Sequence, residues 1–377
     1  MARARLGPHP RPALAAAALG IGIGAFSPAR TLASPGVEGT RNLSMGNGAF
    51  ASTYGTNAAL ANPAAMSFSQ QFSIEPLYQI EVRSLRNGVG AVVMDSLNNA
   101  RVSLALGYLF MRGAPKISFL DSSGEEKRLT LSHFGHEAFA AVSVAVVKQW
   151  LSVAIKPKYQ YVSLRYRDPD GVARNAHDKL NFFGLDMAVG VNFAGWAALH
   201  VVANNLVGSH APAYTCDPTK KGCTASQREL SLEGIDADPA TIDHGTVSRV
   251  SDYPLLLGHG FAVFPLHNPN FSINVDGTYD FTSYREANKK IRMTFGGSAE
   301  FIAGPVPIRA GSYWDSMGPG KADDRVYVTG GLGYIKPAKL GGVGVDVGLG
   351  LRQQVAGFGP KETFLGIHVG IRIHPDL

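Results

Sequence analysis

Hydrophobic and polar residues alternate with a period of two along most of the chain after residue 71. Between Asn270 and Tyr284, the odd-numbered positions from Phe271 to Phe281 are mainly apolar, whereas the even-numbered positions carry Ser, Asn, Asp and Thr. A period of two places successive side chains on opposite faces of a β-strand. The same split recurs in residues 290–301 and 183–193, in segments longer than the about five or six residues of an average strand. The pattern therefore predicts long strands, each with one apolar face.

The whole chain contains fourteen such segments, near residues 71–83, 87–95, 100–112, 128–147, 149–166, 179–194, 197–207, 251–265, 270–283, 288–302, 305–315, 325–336, 341–353 and 362–374. Even-to-odd connections are all short, whereas most odd-to-even connections are long, above all residues 208–250. Short turns at one end and long loops at the other are typical of outer-membrane barrels. In the water-free bilayer, only a sheet without edges pairs all its backbone groups. The sequence thus predicts an all-β fold, a fourteen-stranded antiparallel transmembrane β-barrel over residues 71–377. A large soluble β-sandwich or propeller is the alternative.

Charged residues recur at the polar positions in the middle of these strands, and aromatic residues gather near strand ends, as in interfacial girdles. The luminal candidates are Lys158, Arg292, Glu300 and Arg309. Because both signs of charge occur, one expectation is a mutually neutralising network inside the barrel. The alternative is that a base such as Lys158 or Arg309 binds the carboxylate headgroup of a ligand.

Composition and charge agree with an exported barrel. Charged residues make up 17% of the chain, compared with about 25% in soluble domains. Three early arginines precede the apolar run 13–26, and small residues follow at 31–33, which predicts a signal peptide over residues 1–33. Its removal lowers the formal net charge from +6 to +2, so we expect no nucleic-acid partner. The apolar run is also too short to span a bilayer as a helix.

The two cysteines and the possible catalytic motifs give little indication of an enzyme. Cys216 and Cys223 lie in a polar stretch, where a disulfide is expected in an oxidising compartment and two free thiols are the alternative. His136-Glu137 lacks the second histidine of a zinc protease, and the glycines of 342–350 miss the dinucleotide spacing. We therefore expect no enzyme activity, no cofactor and no metal site, although scattered Ser, His and Asp leave an outer-membrane hydrolase open.

Two short motifs precede the first predicted strand. The first contains Met45, Gly46, Gly48 and Ala49, and the second is Asn62-Pro63-Ala64. On physical grounds alone, the glycines permit unusual backbone conformations and the Asn-Pro pair favours a turn. One interpretation of the two motifs is therefore an ordinary packed loop. The motifs also resemble the N-terminal signature of the FadL-like family of outer-membrane transporters, and of the related PorV-like proteins. This resemblance implies a fourteen-stranded barrel in which residues 34–70 fold into the lumen as a hatch.

The resemblance also implies a function. FadL-like proteins lie in the cell outer membrane, among its lipids, and admit long-chain fatty acids or other hydrophobic small molecules by passive diffusion. A shift of the hatch would open the lumen to such a ligand. The alternative is a PorV-like barrel that docks secreted or surface proteins and carries no small molecule.

Overall fold

Antiparallel strands form most of the chain in the computed structural model. The structure describes residues 37–46, 49–83, 85–113, 116–120, 126–167, 173–207, 255–281, 292–316, 324–336, 342–357 and 361–373. The strands within these residues are β1 (Phe72–Glu81), β2 (Arg86–Asp95), β3 (Val102–Gly113), β4 (Lys116–Leu120), β5 (Glu126–Val147), β6 (Leu151–Arg167), β7 (Ala173–Phe193), β8 (Ala197–Val207), β9 (Leu256–Val263), β10 (Phe271–Asp280), β11 (Arg292–Ala303), β12 (Val306–Ser316), β13 (Asp324–Lys336), β14 (Val343–Ala356) and β15 (Thr363–Ile373). Each of the fourteen predicted segments overlaps at least one of them.

The strands close into a barrel. β3 and β4 are two parts of one barrel strand, because both pair with β5 in a continuous order along it. The other strands pair with their neighbours in chain order, and β1 pairs antiparallel with β15. The sheet is therefore a closed antiparallel barrel of fourteen strands. This confirms the predicted fold and excludes the β-sandwich and the propeller.

The two faces of the strands differ in polarity as the alternation predicted. In β15 the outward side chains of Ile367, Val369 and Ile371 are 40–47% exposed, whereas the inward His368 and Arg372 are 2% and 8% exposed. Large exposed apolar side chains recur on the outer face of the other strands. Trp150 and Trp196 lie half exposed in short turns at one end of the barrel. Within the described chain, none of the helices has the length and apolarity needed to cross a bilayer.

Two of the predicted loops are largely strand. Residues 113–127 were expected to connect two strands, but β4 and the start of β5 extend the hairpin through this region. Residues 167–178 were also expected to be a loop, yet β7 already begins at Ala173. Backbone pairing continues here beyond the stretch with a clear apolar face. The alternation of apolar and polar residues was too weak in these stretches to predict a strand.

Several predicted features lie outside the described residues. These are the signal peptide, Gly48 of the first motif, and Cys216 and Cys223 with their expected disulfide. They remain sequence-based expectations.

The chain that precedes β1 lies within the barrel. It contains α1 (Thr40–Ser44), α2 (Thr56–Ala61) and a 3-10 helix (Pro63–Phe68). α1 packs against β12 to β15, α2 packs against β1 and β2, and the 3-10 helix packs against β3, β5, β6 and β7. We call the described residues from 37 to 70 the inner segment. Because its contacts come from many strands, the inner segment crosses the lumen and does not line a single wall.

Candidate functional site

Polar anchors attach the inner segment to strands around the barrel. They join Glu38 to Arg352, Arg41 to Glu300, Gly46 to Thr329, Phe50 to Asp276, Thr56 to Glu75, Asn62 to His200, and Ala64 to Ser143 and Ser152. The wall partners all face inward, as expected for polar positions on strands whose other face is apolar. The candidate site is therefore the interface between the inner segment and the inner wall.

The first motif forms a sharp bend after α1. Met45 is fully buried and caps the helix, and Gly46 has a φ of 73°, a region that favours glycine. The Gly46 amide donates to Thr329 Oγ1 at 2.9 Å, and the next described residue, Ala49, is fully buried. The Phe50 amide then donates to Asp276 Oδ1 at 2.8 Å. The motif therefore brings two backbone amides against the wall on opposite sides of the bend.

The second motif is organised by Asn62, which is fully buried. Its Oδ1 accepts a hydrogen bond from the Ala64 amide at 3.2 Å, which caps the 3-10 helix that Pro63 begins. Its Nδ2 donates to the Phe50 carbonyl at 2.8 Å and also contacts His200 Nδ1 on β8. Asn62 therefore connects the second motif to the first and to the wall.

The Ala64 carbonyl lies between two serines of the wall. Ser143 Oγ of β5 donates to it at 3.2 Å, and Ser152 Oγ of β6 donates to it at 2.6 Å. The Ala64 side chain is itself fully buried, in a small apolar cluster with Phe50 and Val202. A small residue at this position lets the backbone approach the wall closely.

Glu300 is the centre of a buried charge cluster. It faces Arg309 across the β11–β12 ladder and forms an ion pair with the Arg309 guanidinium. It also pairs with Arg41 of α1, whose Nη2 lies 2.9 Å from Glu300 Oε1, and the Arg41 guanidinium stacks 4.7 Å from the centre of the Tyr54 ring. The alternation of polar and apolar positions along β11 and β12 predicted that Glu300 and Arg309 face inward. It gave no indication that Arg41 would complete the cluster, because that contact depends on the path of the inner segment.

A second charge cluster contains Lys158. Its Nζ lies 2.8 Å from Asp186 Oδ1, and Lys156 Nζ lies 3.1 Å from Asp186 Oδ2. Lys156 also donates to the Leu60 carbonyl of α2 at 3.3 Å. The fourth luminal candidate, Arg292, pairs with Asp280 in the β10–β11 ladder, and its side chain lies outside the described residues.

A groove in the barrel wall leads to Lys158. It has a volume of about 490 Å³ and is lined by outward residues such as Tyr159 and Phe183 as well as by the inward Phe139 and Lys158. Pro157 lies on β6 between Ile155 and Tyr159, which pair with Val142 and Ala138 of β5. As a proline, it has no backbone N–H to contribute to the hydrogen-bond ladder. The β7–β8 register also shifts beside this point, between Leu185 and Met187. The missing N–H of Pro157 and the register shift after Leu185 therefore lie where the apolar surface of the groove meets the buried Lys158 side chain.

Neither a family model nor a curated protein matches the sequence. Among solved structures, a Pseudomonas aeruginosa FadL homologue is 12% identical with a TM-score of 0.54, covering 90% of this chain and 98% of that one. The P. putida toluene transporter TodX is 11% identical with a TM-score of 0.53, covering 89% and 98%. The CymD monoaromatic hydrocarbon channel is 10% identical with a TM-score of 0.51, covering 85% and 93%.

These identities are low, but the similarity extends over nearly the whole barrel. The fourteen-stranded barrel that the N-terminal motifs implied is confirmed, and the similar structures include a FadL homologue. The chain therefore shares the fold of the FadL-like barrels whose N-terminal signature it resembles.

Proposed function

We propose that this protein is an outer-membrane channel for the passive uptake of hydrophobic small molecules, long-chain fatty acids among them. The inner segment acts as the hatch, and no chemical step is involved. The apolar outer face of the barrel supports a location in a bilayer, surrounded by outer-membrane lipid. Two of the similar structures are a toluene transporter and a monoaromatic hydrocarbon channel, which supports a ligand of this class.

The observation that carries the proposal is that the two halves of the inner segment are held differently. Ala58, Ala59, Ala65 and Met66 belong to an apolar cluster that includes residues of β1, β2, β3 and β5, such as Met94. Val37 belongs to the same cluster, and Thr56, Asn62 and Ala64 carry polar anchors in addition, whereas residues 38–46 are attached to the wall mainly by ion pairs and hydrogen bonds. Polar bonds exchange readily for bonds to water, whereas an apolar cluster resists wetting. We therefore propose that residues 38–46 are the part that moves.

The wall groove provides the route for the ligand. An apolar chain fits against Tyr159 and Phe183, and a carboxylate headgroup at its end reaches Lys158. Lys158 already pairs with Asp186. A carboxylate headgroup would replace one anionic partner of Lys158 with another, so the ammonium group would stay paired throughout. We therefore propose Lys158 for the headgroup role that the sequence left open between it and Arg309, because Lys158 lines the groove and Arg309 does not.

A reversible lock tests the proposed motion. The Cβ of a residue at position 88 would lie 3.5 Å from the Val37 Cβ, which lies within the disulfide range of about 3.5–4.5 Å. Val37→Cys with Gly88→Cys, in a chain whose natural cysteines are replaced by serine, ties the start of the inner segment to β2. We expect the oxidised form to take up labelled long-chain fatty acid at least tenfold more slowly in proteoliposomes, and reduction to restore uptake.

The single variants Val37→Cys and Gly88→Cys are the controls, because neither can form the lock. Equal uptake by the oxidised and reduced double variant, with the bond verified by mass spectrometry, would exclude the moving hatch. If the unmodified protein moved no member of a panel of hydrophobic compounds and instead copurified with one stoichiometric secreted protein, the PorV-like alternative would replace the channel.

A further inference from the structure

Three side chains with metal-ligand chemistry converge under α2. Glu75 of β1, Asp346 of β14 and His368 of β15 each offer one ligand atom, and these atoms all lie within 4.8 Å of one another. Each of the three residues is only 2% exposed. We propose that they bind a divalent transition-metal ion of the zinc type. The proposal does not depend on the channel function.

The barrel register brings these residues together. Asp346 pairs with Gly370 on one side of β15, and the pairing of Ile74 with Ile371 places Glu75 beside Gly370 on the other. Because Gly370 has no side chain, the two carboxylates can approach each other across it. His368 lies two residues earlier in β15 and so faces the same side of the sheet. Its ring occupies the space that a side chain at Gly348 would fill.

The cluster contains buried ligand atoms that make no hydrogen bond. Both ring nitrogens of His368 and the Oδ1 atom of Asp346 have no hydrogen-bond partner among the described residues. Buried polar atoms are normally paired with protein or water, and a cluster of atoms without a hydrogen bond is a place where an ion can bind. A buried histidine whose two ring nitrogens make no hydrogen bond, with Nε2 facing a carboxylate oxygen that also makes none, is the main indication of a ligand.

The spacing of these atoms suits a metal ion. His368 Nε2 lies 3.4 Å from Asp346 Oδ1, in a geometry that makes no hydrogen bond. Zinc binds histidine nitrogen and carboxylate oxygen at about 2.1 Å, so two such ligands at a tetrahedral angle are about 3.4 Å apart. The pair is therefore already at the separation that one ion between them needs.

Neighbouring residues hold both carboxylates in place. Arg372 pairs with Asp346 Oδ2 and leaves Oδ1 directed at His368. Thr56 and Asn57 of α2 donate hydrogen bonds to the Glu75 carboxylate. Ligating carboxylates are commonly oriented by such outer partners.

The donor set selects the class of metal. One imidazole and two carboxylates suit zinc, manganese, iron or cobalt, whereas calcium and magnesium prefer oxygen ligands alone. The competing interpretation is a polar cluster in which a protonated His368 pairs with Asp346. Since Glu75 also holds α2, a bound ion would fix the inner segment to β1, β14 and β15.

A cobalt titration tests the site. The full chain, purified in detergent without a histidine tag and stripped with EDTA, is titrated with Co²⁺ and then with Zn²⁺. We expect one Co²⁺ per chain, with visible d–d absorption that Zn²⁺ abolishes. His368→Gln is expected to weaken binding at least tenfold. Asp346→Asn, which retains the size of the side chain, provides a second variant if the first does not fold.

His200→Gln is the matched control. His200 is an equally buried luminal histidine on β8 that belongs to no such ligand cluster among the described residues. It should bind Co²⁺ as the unchanged protein does, and heat-modifiable migration in gels reports folding for every variant. Less than about 0.1 equivalents of Co²⁺ bound, or equal loss in the His368 and His200 variants, would leave only the polar cluster. Uptake is not measured, so a failure of the channel proposal would not alter this result.

Discussion

The side-chain amide of Asn62 donates a hydrogen bond to the backbone carbonyl of Phe50 across 2.8 Å, and this bond joins the two N-terminal motifs. Both residues also reach the wall, Asn62 through His200 and Phe50 through Asp276. The second motif therefore supports the conformation of the first. The relationship explains in physical terms why the two motifs occur in one segment.

Asn62→Ala removes this bond together with the cap of the 3-10 helix. We expect a loss of about 1–3 kcal/mol in the free energy of unfolding, because a buried hydrogen bond and a helix cap are lost together. Urea unfolding in detergent measures the change. Asn181→Ala is the control, since the bond from Tyr159 to Asn181 is exposed and its loss should cost less than about 0.5 kcal/mol.

Glu300→Gln leaves the buried Arg41 and Arg309 guanidiniums without their shared anion. Breaking a buried ion pair from one side costs about 3–5 kcal/mol, so we expect a loss of that size in urea unfolding. Glu137→Gln is the matched control, because Glu137 is also buried but is paired with the neutral Gln160. An equal loss in the two variants would contradict the role assigned to the charge cluster.

The charge clusters show how far the sequence predicts the site. Alternation along a strand decides which side chains face inward, so Lys158, Glu300 and Arg309 were placed correctly. Their partners were not predictable, since distances across the lumen depend on barrel shape and on the path of the inner segment. The same alternation places Glu75 and His368 on the inner face, but they were not among the site residues predicted from the sequence. Only the register across β15 shows that they meet Asp346.

Lys158→Gln tests headgroup recognition in the wall groove. We expect uptake of a long-chain fatty acid to fall about tenfold, which corresponds to about 1.4 kcal/mol, while uptake of an alkane of equal length stays unchanged. Lys156→Gln is the control, because Lys156 pairs with the same Asp186 but does not line the groove. Equal effects of the two variants on fatty-acid uptake would remove Lys158 from the route.

Ala138→Trp fills the groove from outside the barrel. Ala138 faces outward and lines the groove, so the larger side chain should fit without disturbing the lumen. We expect uptake of all hydrophobic ligands to decrease severalfold, charged or not. Ala310→Trp, on the outer face of β12 and away from the groove, should leave uptake unchanged. Normal uptake by the Ala138→Trp variant would show that the ligand does not pass through the wall groove.

Ile367→Lys tests whether the outer face contacts hydrocarbon. Ile367 lies midway along β15, and a lysine at the bilayer midplane costs about 2–4 kcal/mol in transmembrane barrels. Ile373→Lys is the matched control, because Ile373 lies on the same face of the same strand but at its end, where the cost falls to about 0–1 kcal/mol. Unfolding of both variants in lipid vesicles gives the comparison, and a protein in water would show no such dependence on depth.

The pairing of β1 with β15 constrains the order of assembly. The first and last strands meet at one seam, so the cylinder cannot be sealed until the final hairpin has been made. The inner segment is synthesised before β1 and makes bonds to β8, β10, β11, β13 and β14, which all come later. Enclosure of the segment and sealing of the cylinder are therefore coupled events. A weakened segment would then lower the yield of inserted protein as well as its rate of uptake.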